Sequence, residues 1–175
     1  MLKKFFISTL CIVIFLQTNI FAQTINLDQA ALETKKTHKS PLVYLHRTGC
    51  PYCERLEEFT FDDDDVHDYI EKNFNFIQIN VSYTEDIIIY KNKKMTPREF
   101  AITIGYNFFP SVLFLDAQAN LEHASVGYIE EKDFLIILKY MKTDAYKTID
   151  IDQYKKQIGF TEENSETTID KRQKL

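Results

Sequence analysis

Cys50-Pro51-Tyr52-Cys53 places two soft nucleophiles three residues apart in a chain of 175 residues. On a helix that spacing is about one turn, so both sulfurs fall on one face. The thiolate is the nucleophile of disulfide exchange, and a free cysteine with a pKa near ~8.5 is only about 3% ionised at pH 7. Ahead of the pair, Leu42-Val43-Tyr44-Leu45 is an almost continuous apolar run, as a buried strand requires. Arg47-Thr48-Gly49 then reads as a turn, and a helix runs on through Cys53, Leu56 and Phe59. Cys50 therefore stands at a helix N-terminus, where unpaired N–H groups and the helix dipole favour an anion. A pKa lowered by about 2 units, ~2.7 kcal/mol, raises the ionised fraction to about 75%. Cys50 is the candidate nucleophile. Cys53, one turn further in, is the candidate resolving thiol that attacks the mixed disulfide. Pro51 suits the first helical turn, which needs no N–H from it, and Tyr52 completes the active-site turn. His46 and Arg47 are candidate modulators, adding positive potential beside Cys50; the alternative for His46 is a strand-end residue with no role.

A lone C-x-x-C also fits half of a zinc site. Zinc usually takes four ligands, and His38, His46, His67 and His123 form no close pair in the sequence. A structural disulfide is a poor alternative, because so short a loop removes little unfolded-state entropy. Redox chemistry is the favoured reading, with no metal and no cofactor beyond a redox-active Cys50–Cys53 disulfide.

The third cysteine, Cys11, lies in the apolar run Phe5 to Leu16, behind Lys3 and Lys4. This is the pattern of an export signal over residues 1–22, with Ala22 offering a small residue for cleavage and Gln23 as the mature start. The alternative is an uncleaved membrane anchor. Gln17, Thr18 and Asn19 weaken a full membrane span. A mature exported chain would keep only Cys50 and Cys53. The formal net charge is −5, and loss of Lys3 and Lys4 makes it −7. No clustered basic face offsets that, so nucleic acid, which is bound by phosphate neutralisation, is not an expected partner. Hydrophobic content of 45% is enough for a core, and 27% charged residues give a solvated surface.

The remaining elements follow from local signals. Residues 27–38 read as a helix ended by Pro41. Asp62 to Asp65 cap a helix over 63–73; they lack the glycine and distal glutamate of a calcium loop. Phe74 to Val81 reads as a strand, and Ile87 to Met95 as a short strand or flap with a Lys-rich turn. Thr96-Pro97-Arg98-Glu99 is a helix start with a capping box, stopping at Gly105. Ser111 to Asp116 and Leu121 to Val126 are strands around a turn. A last helix spans Glu130 to Met141, and a short appendage covers Tyr146 to Gln157. The order predicts an α/β fold with a mixed central sheet flanked by helices.

Phe109-Pro110-Ser111 stands at the entrance to the apolar strand, where a proline must shape a turn. The strand–C-P-Y-C–helix unit followed by this proline resembles the thioredoxin superfamily. Thr96 to Ala101, Phe109 to Asp116, Gly127-Tyr128, Phe134-Leu135, Lys139 to Met141 and Ala145-Tyr146-Lys147 look like the SoxW-like exported thioredoxins. The resemblance covers about residues 27–157. It implies a thioredoxin fold in which Pro110 is cis, packs on the disulfide and leaves the preceding backbone free to pair with substrate. Together with the export signal and the polar, anchor-poor C-terminus, it divides the chain into a signal peptide (1–22), a thioredoxin-like domain with a C-terminal extension (23–158) and a disordered polar tail (159–175). It implies a periplasmic thiol–disulfide oxidoreductase working in the reducing direction. Its partners would be exported proteins with oxidised cysteines and a membrane thiol reductant.

Three departures stand out. Phe109 is bulky where Thr or Val is usual before the proline. Gly49 replaces the Trp that many thioredoxins carry, and the chain has no Trp. Tyr44 replaces the buried acid six residues before the first cysteine, the acid that assists deprotonation of the second. A disulfide-forming oxidase, a glutaredoxin-like role and a non-catalytic metal- or partner-binding module are the competing functions. Tyr106, Phe108 and Phe109 are either core or an apolar rim for substrate.

Overall fold

Leu42, Val43, Tyr44 and Leu45 are all fully buried because the strand they form is covered on both faces. The computed structural model of the protein describes residues 22–160. At its centre is β2 (Ser40–His46), counted after the short β1 (Thr24–Asn26). It pairs in parallel with β3 (Phe74–Asn80) and antiparallel with β6 (Ser111–Leu115). β6 pairs antiparallel with β7 (Leu121–Val126), giving a mixed sheet of order β3-β2-β6-β7. Side chains alternate across β2. Leu42 and Tyr44 enter the core that holds both cysteines. Val43 and Leu45 enter the opposite core with Leu27, Phe100 and Leu113.

Helices close both faces. α1 (Leu27–Thr37) and α4 (Pro97–Thr103) bring Leu27, Phe100 and Ala101 to the second core. On the first face, α2 (Pro51–Leu56), α3 (Asp64–Asn73) and α5 (Glu131–Lys142) supply Leu56, Val66, Ile70, Phe134 and Leu138. The helix starts follow their sequence signals. Asp63 accepts the Val66 N–H at 3.2 Å. Thr96 and Glu99 form a reciprocal capping box. The appendage is a 3-10 turn (Ala145–Lys147) and α6 (Ile151–Gln157), held by a Tyr154–Tyr140 ring contact at 5.3 Å and a Lys155–Asp133 ion pair at 2.7 Å.

One reading needs correction and a second is sharpened. Pro41 does not end α1; His38 does, in the left-handed region at φ 58°, donating its N–H to Thr34. Pro41 is the second residue of β2. Ile87–Met95 is a hairpin, β4 (Ile87–Tyr90) and β5 (Lys93–Met95), with a turn at Lys91 and Asn92 in positive φ. The Asp28 carboxylate accepts both turn N–H groups, at 2.8 and 2.7 Å. With β1, which pairs parallel to β4, the hairpin makes a second, three-stranded sheet. Among the described residues no helix is long and apolar enough to cross a membrane. The signal reading (1–21 of its 22 residues) and residues 161–175 of the tail lie outside the described residues.

Candidate redox site

β2 ends at His46, and the turn that follows delivers Cys50 to the start of α2. The turn is pinned from the end of β3: Thr48 N–H donates to Ser82 Oγ at 3.1 Å, and Asn80 Nδ2 to Thr48 Oγ1 at 3.2 Å. Gly49 has φ +66°, a conformation that an L side chain rarely adopts. This is the physical reason for glycine at that position. Cys50 is the N-cap of α2, and its Sγ accepts the Cys53 N–H at 3.2 Å. Cys50 and Cys53 form a disulfide, with S–S 2.11 Å and Cα–Cα 5.2 Å. Both residues are buried, while Pro51 and Tyr52 are exposed at the tip, Tyr52 by 63%. When the bond is reduced, the same N–H can donate to a thiolate at position 50, a charge-assisted bond that a neutral thiol does not earn.

The Phe109–Pro110 peptide is cis. The Phe109 carbonyl oxygen lies 3.8 Å from Cys50 Sγ. Pro110 is buried, and its own carbonyl accepts the Gly127 N–H at 2.8 Å. Ser111 Oγ ties the loop by donating to Phe108 O at 2.6 Å. Phe108 is 69% exposed and Phe109 is half-buried. Tyr106 packs instead into the core of Phe100 and Leu113, on the other face of the sheet. The aromatic that the sequence reading missed here is Tyr128. It follows Gly127, packs against the cysteine-containing core and carries the Arg55 guanidinium 4.2 Å from its ring centre.

A second missed residue is Glu57. It stands four residues after Cys53, on the same helical face, and that spacing was its only sequence signal. There α2 widens into a π-helical turn (Glu57–Phe61). Glu57 Oε1 accepts the Tyr44 hydroxyl at 2.9 Å and lies 3.5 Å from His46 Nδ1. The Tyr44 hydroxyl also lies 3.4 Å from the Cys53 carbonyl oxygen. His46 stacks on the Tyr44 ring at 4.8 Å. Burial, reinforced by the bond to Glu57 and its charge, pushes the Tyr44 phenol far above the usual range, so it stays a donor. Arg47 is exposed on the turn.

Burial pushes the His46 imidazole below its usual value, against the pull of Glu57, and burial does the same to His123. The unfolded chain, with its histidines near pKa ~6.5, therefore binds protons more readily than the folded one. The stability that the two neutral rings contribute is complete above about pH 6.5 and is lost as pH falls below it. The thermal midpoint should fall between pH 7.5 and pH 5, and His123→Gln should flatten the fall. A midpoint that holds level across that range would rule this out.

Among the described residues no group of three or more His, Cys, Asp and Glu is placed to hold a metal ion. Residues 27–142 match the family described as thioredoxin-like domain. The fold is similar to that of a thioredoxin-fold protein from Helicobacter pylori, at 22% identity and TM-score 0.59, over 80% of this chain and 86% of that one. It is also similar to a thioredoxin from Thermus thermophilus, at 21% identity and TM-score 0.53, over 69% and 86%. No curated protein matches the chain. With the family match spanning most of its length and a C-x-x-C disulfide at the front of α2, the chain belongs to the thioredoxin superfamily, through its thioredoxin-like domain.

Proposed function

We propose that this protein is a thiol–disulfide oxidoreductase that exchanges disulfides with exported proteins through Cys50 and Cys53, in the reducing direction. The observation that carries the reading is the disulfide at the helix start, with Cys50 Sγ already accepting a backbone N–H. In one turnover the Cys50 thiolate attacks a substrate disulfide and forms a mixed disulfide. Cys53 then attacks Cys50, and the substrate leaves as a dithiol. Two electrons pass to the substrate, and the protein is left oxidised. A membrane thiol reductant would restore it, which fits a periplasmic location after export through the N-terminal segment. Cys11 would leave with that segment, or would stay in an anchor if the segment is uncleaved. The likeness to SoxW-like exported thioredoxins, carried by the sequence blocks around Thr96, Pro110 and Tyr140, supports the reducing direction.

The reduction potential of the Cys50–Cys53 pair tests that direction. A value near the thioredoxin range, about −270 mV, is expected; one near about −120 mV would make the protein a disulfide-forming oxidase. Stoichiometric zinc or copper in the reduced protein without insulin reduction would instead favour a binding module.

The aromatic collar bears on substrate choice. Tyr52 and Phe108 project into solvent, and Phe109 brings its carbonyl beside Cys50. Burying an exposed phenyl against an apolar neighbour is worth about 1–1.5 kcal/mol when only part of the ring is covered. Phe108→Ser should therefore lower kcat/KM for protein disulfides about tenfold. Reduction of a small aromatic disulfide reagent should change less than twofold. Equal losses on both substrates would remove the collar from recognition.

A further inference from the structure

Reduction of a substrate requires the Cys53 thiol to give up a proton at the moment it attacks. The position from which many thioredoxins supply an acid holds Tyr44, whose hydroxyl is itself a donor. The carboxylate comes from the other side. Residues four apart on a helix have Cβ atoms about 5–6 Å apart, so Glu57 is within a side chain's reach of Cys53. It is tied there twice. Its backbone N–H donates to the Cys53 carbonyl, and Tyr44 Oη bridges the Glu57 carboxylate and that same carbonyl oxygen. The π-helical turn that begins at Glu57 belongs to the same arrangement, and such turns recur at functional sites. Glu57 also lines a cavity of about 860 Å³ and is 43% exposed. Glu57 Oε1 is thus held by the buried Tyr44 and faces the partly buried His46, while the side chain remains open to solvent.

We infer that Glu57 is the group that receives the Cys53 proton during resolution, with Tyr44 and His46 as its positioning residues. This rests on the exchange reaction proposed above. The proton leaves Cys53 for the Glu57 carboxylate. The Cys53 sulfur forms the bond to Cys50 Sγ. The bond between Cys50 and the substrate sulfur breaks, and its electron pair leaves with the substrate thiolate. Glu57 then returns the proton to water in the cavity. The titratable groups facing it are Tyr44 and His46 on β2, and Asp62, His67, Glu71, Glu33 and Lys39 around the cavity.

Reduced full-length protein mixed with dithiobis(nitrobenzoate) separates the steps. The first nitrothiolate released reports attack by Cys50, and the second reports resolution by Cys53. Followed by stopped flow from pH 5.5 to 9, Glu57→Gln should slow the second release at least tenfold at pH 7, and the deficit should close as pH rises and hydroxide takes the proton instead. Glu57→Asp should recover part of the rate. Tyr44→Phe, which keeps the buried ring, should slow the second release about threefold. A second-release profile in Glu57→Gln that runs parallel to the wild type overturns the proposal and leaves the exchange reaction standing. A wild type that gives no first release overturns both.

Discussion

Cys53→Ala should convert the protein into a trap: covalent mixed disulfides through Cys50 accumulate, and turnover stops. Cys50 sits at the N-cap with its sulfur on a backbone N–H, so it keeps its nucleophilic position without its partner. What is lost is the attack that releases the product, since Cys53 is the sulfur bonded to it here. Cys50→Ala should fail one step earlier. That variant loses the sulfur placed at the helix start, so no mixed disulfide forms at all. Cys53 cannot substitute, because it lies within α2 and not at the N-cap that would stabilise its thiolate. Insulin reduction should fall to the uncatalysed background in both variants, while only Cys53→Ala yields partner adducts that dissolve in dithiothreitol. Adducts through position 53 in Cys50→Ala would reverse the assignment of the two thiols.

Phe134→Ala should cost about 3–5 kcal/mol, a fifth or more of the stability of an ordinary domain. Phe134 is fully buried on α5 and meets Phe61 edge-to-face at 5.6 Å. Phe61 in turn meets Tyr44 at 4.9 Å and Phe76 at 5.2 Å. The aromatic stack therefore connects α5 to the floor of the redox site. Removing one ring leaves a cavity that the rigid sheet cannot close. In urea the unfolding midpoint should fall by about 1.5–3 M at an ordinary m-value. A loss below about 1 kcal/mol would mean that the site floor is not packed through Phe134.

Much of this arrangement was readable because it is local. The C-P-Y-C spacing, the capping box at Thr96 and Glu99, and the apolar run at Leu42–Leu45 each act within a few residues, and each forms the element expected of it. What was not readable depends on tertiary partners. β1 is three residues long and exists because Ile87–Ile89 pair with it. The proline at 41 looked like a stop signal, yet a left-handed His38 had already turned the chain. Phe59 continued the helical spacing of Cys53 and Leu56. The π-helical turn shifts the register, so that Thr60 and Phe61 are buried and Phe59 is 51% exposed. Tyr106 read equally as core or rim, and only its packing against Phe100 and Leu113, on the face of the sheet away from the cysteines, decides for core. Glu57 was missed for the same reason: its meaning comes from Tyr44 and His46 across the site.

The most direct measurement is the pH dependence of Cys50 alkylation in the reduced, full-length protein. A sulfur that accepts a backbone N–H at the front of a helix should react with a half-point below about pH 7.5, with Cys53 unmodified over the same range. A half-point at or above about 8.5, that of a free cysteine, would mean that the helix start holds no reactive thiolate, and the exchange chemistry assigned to this site would not stand.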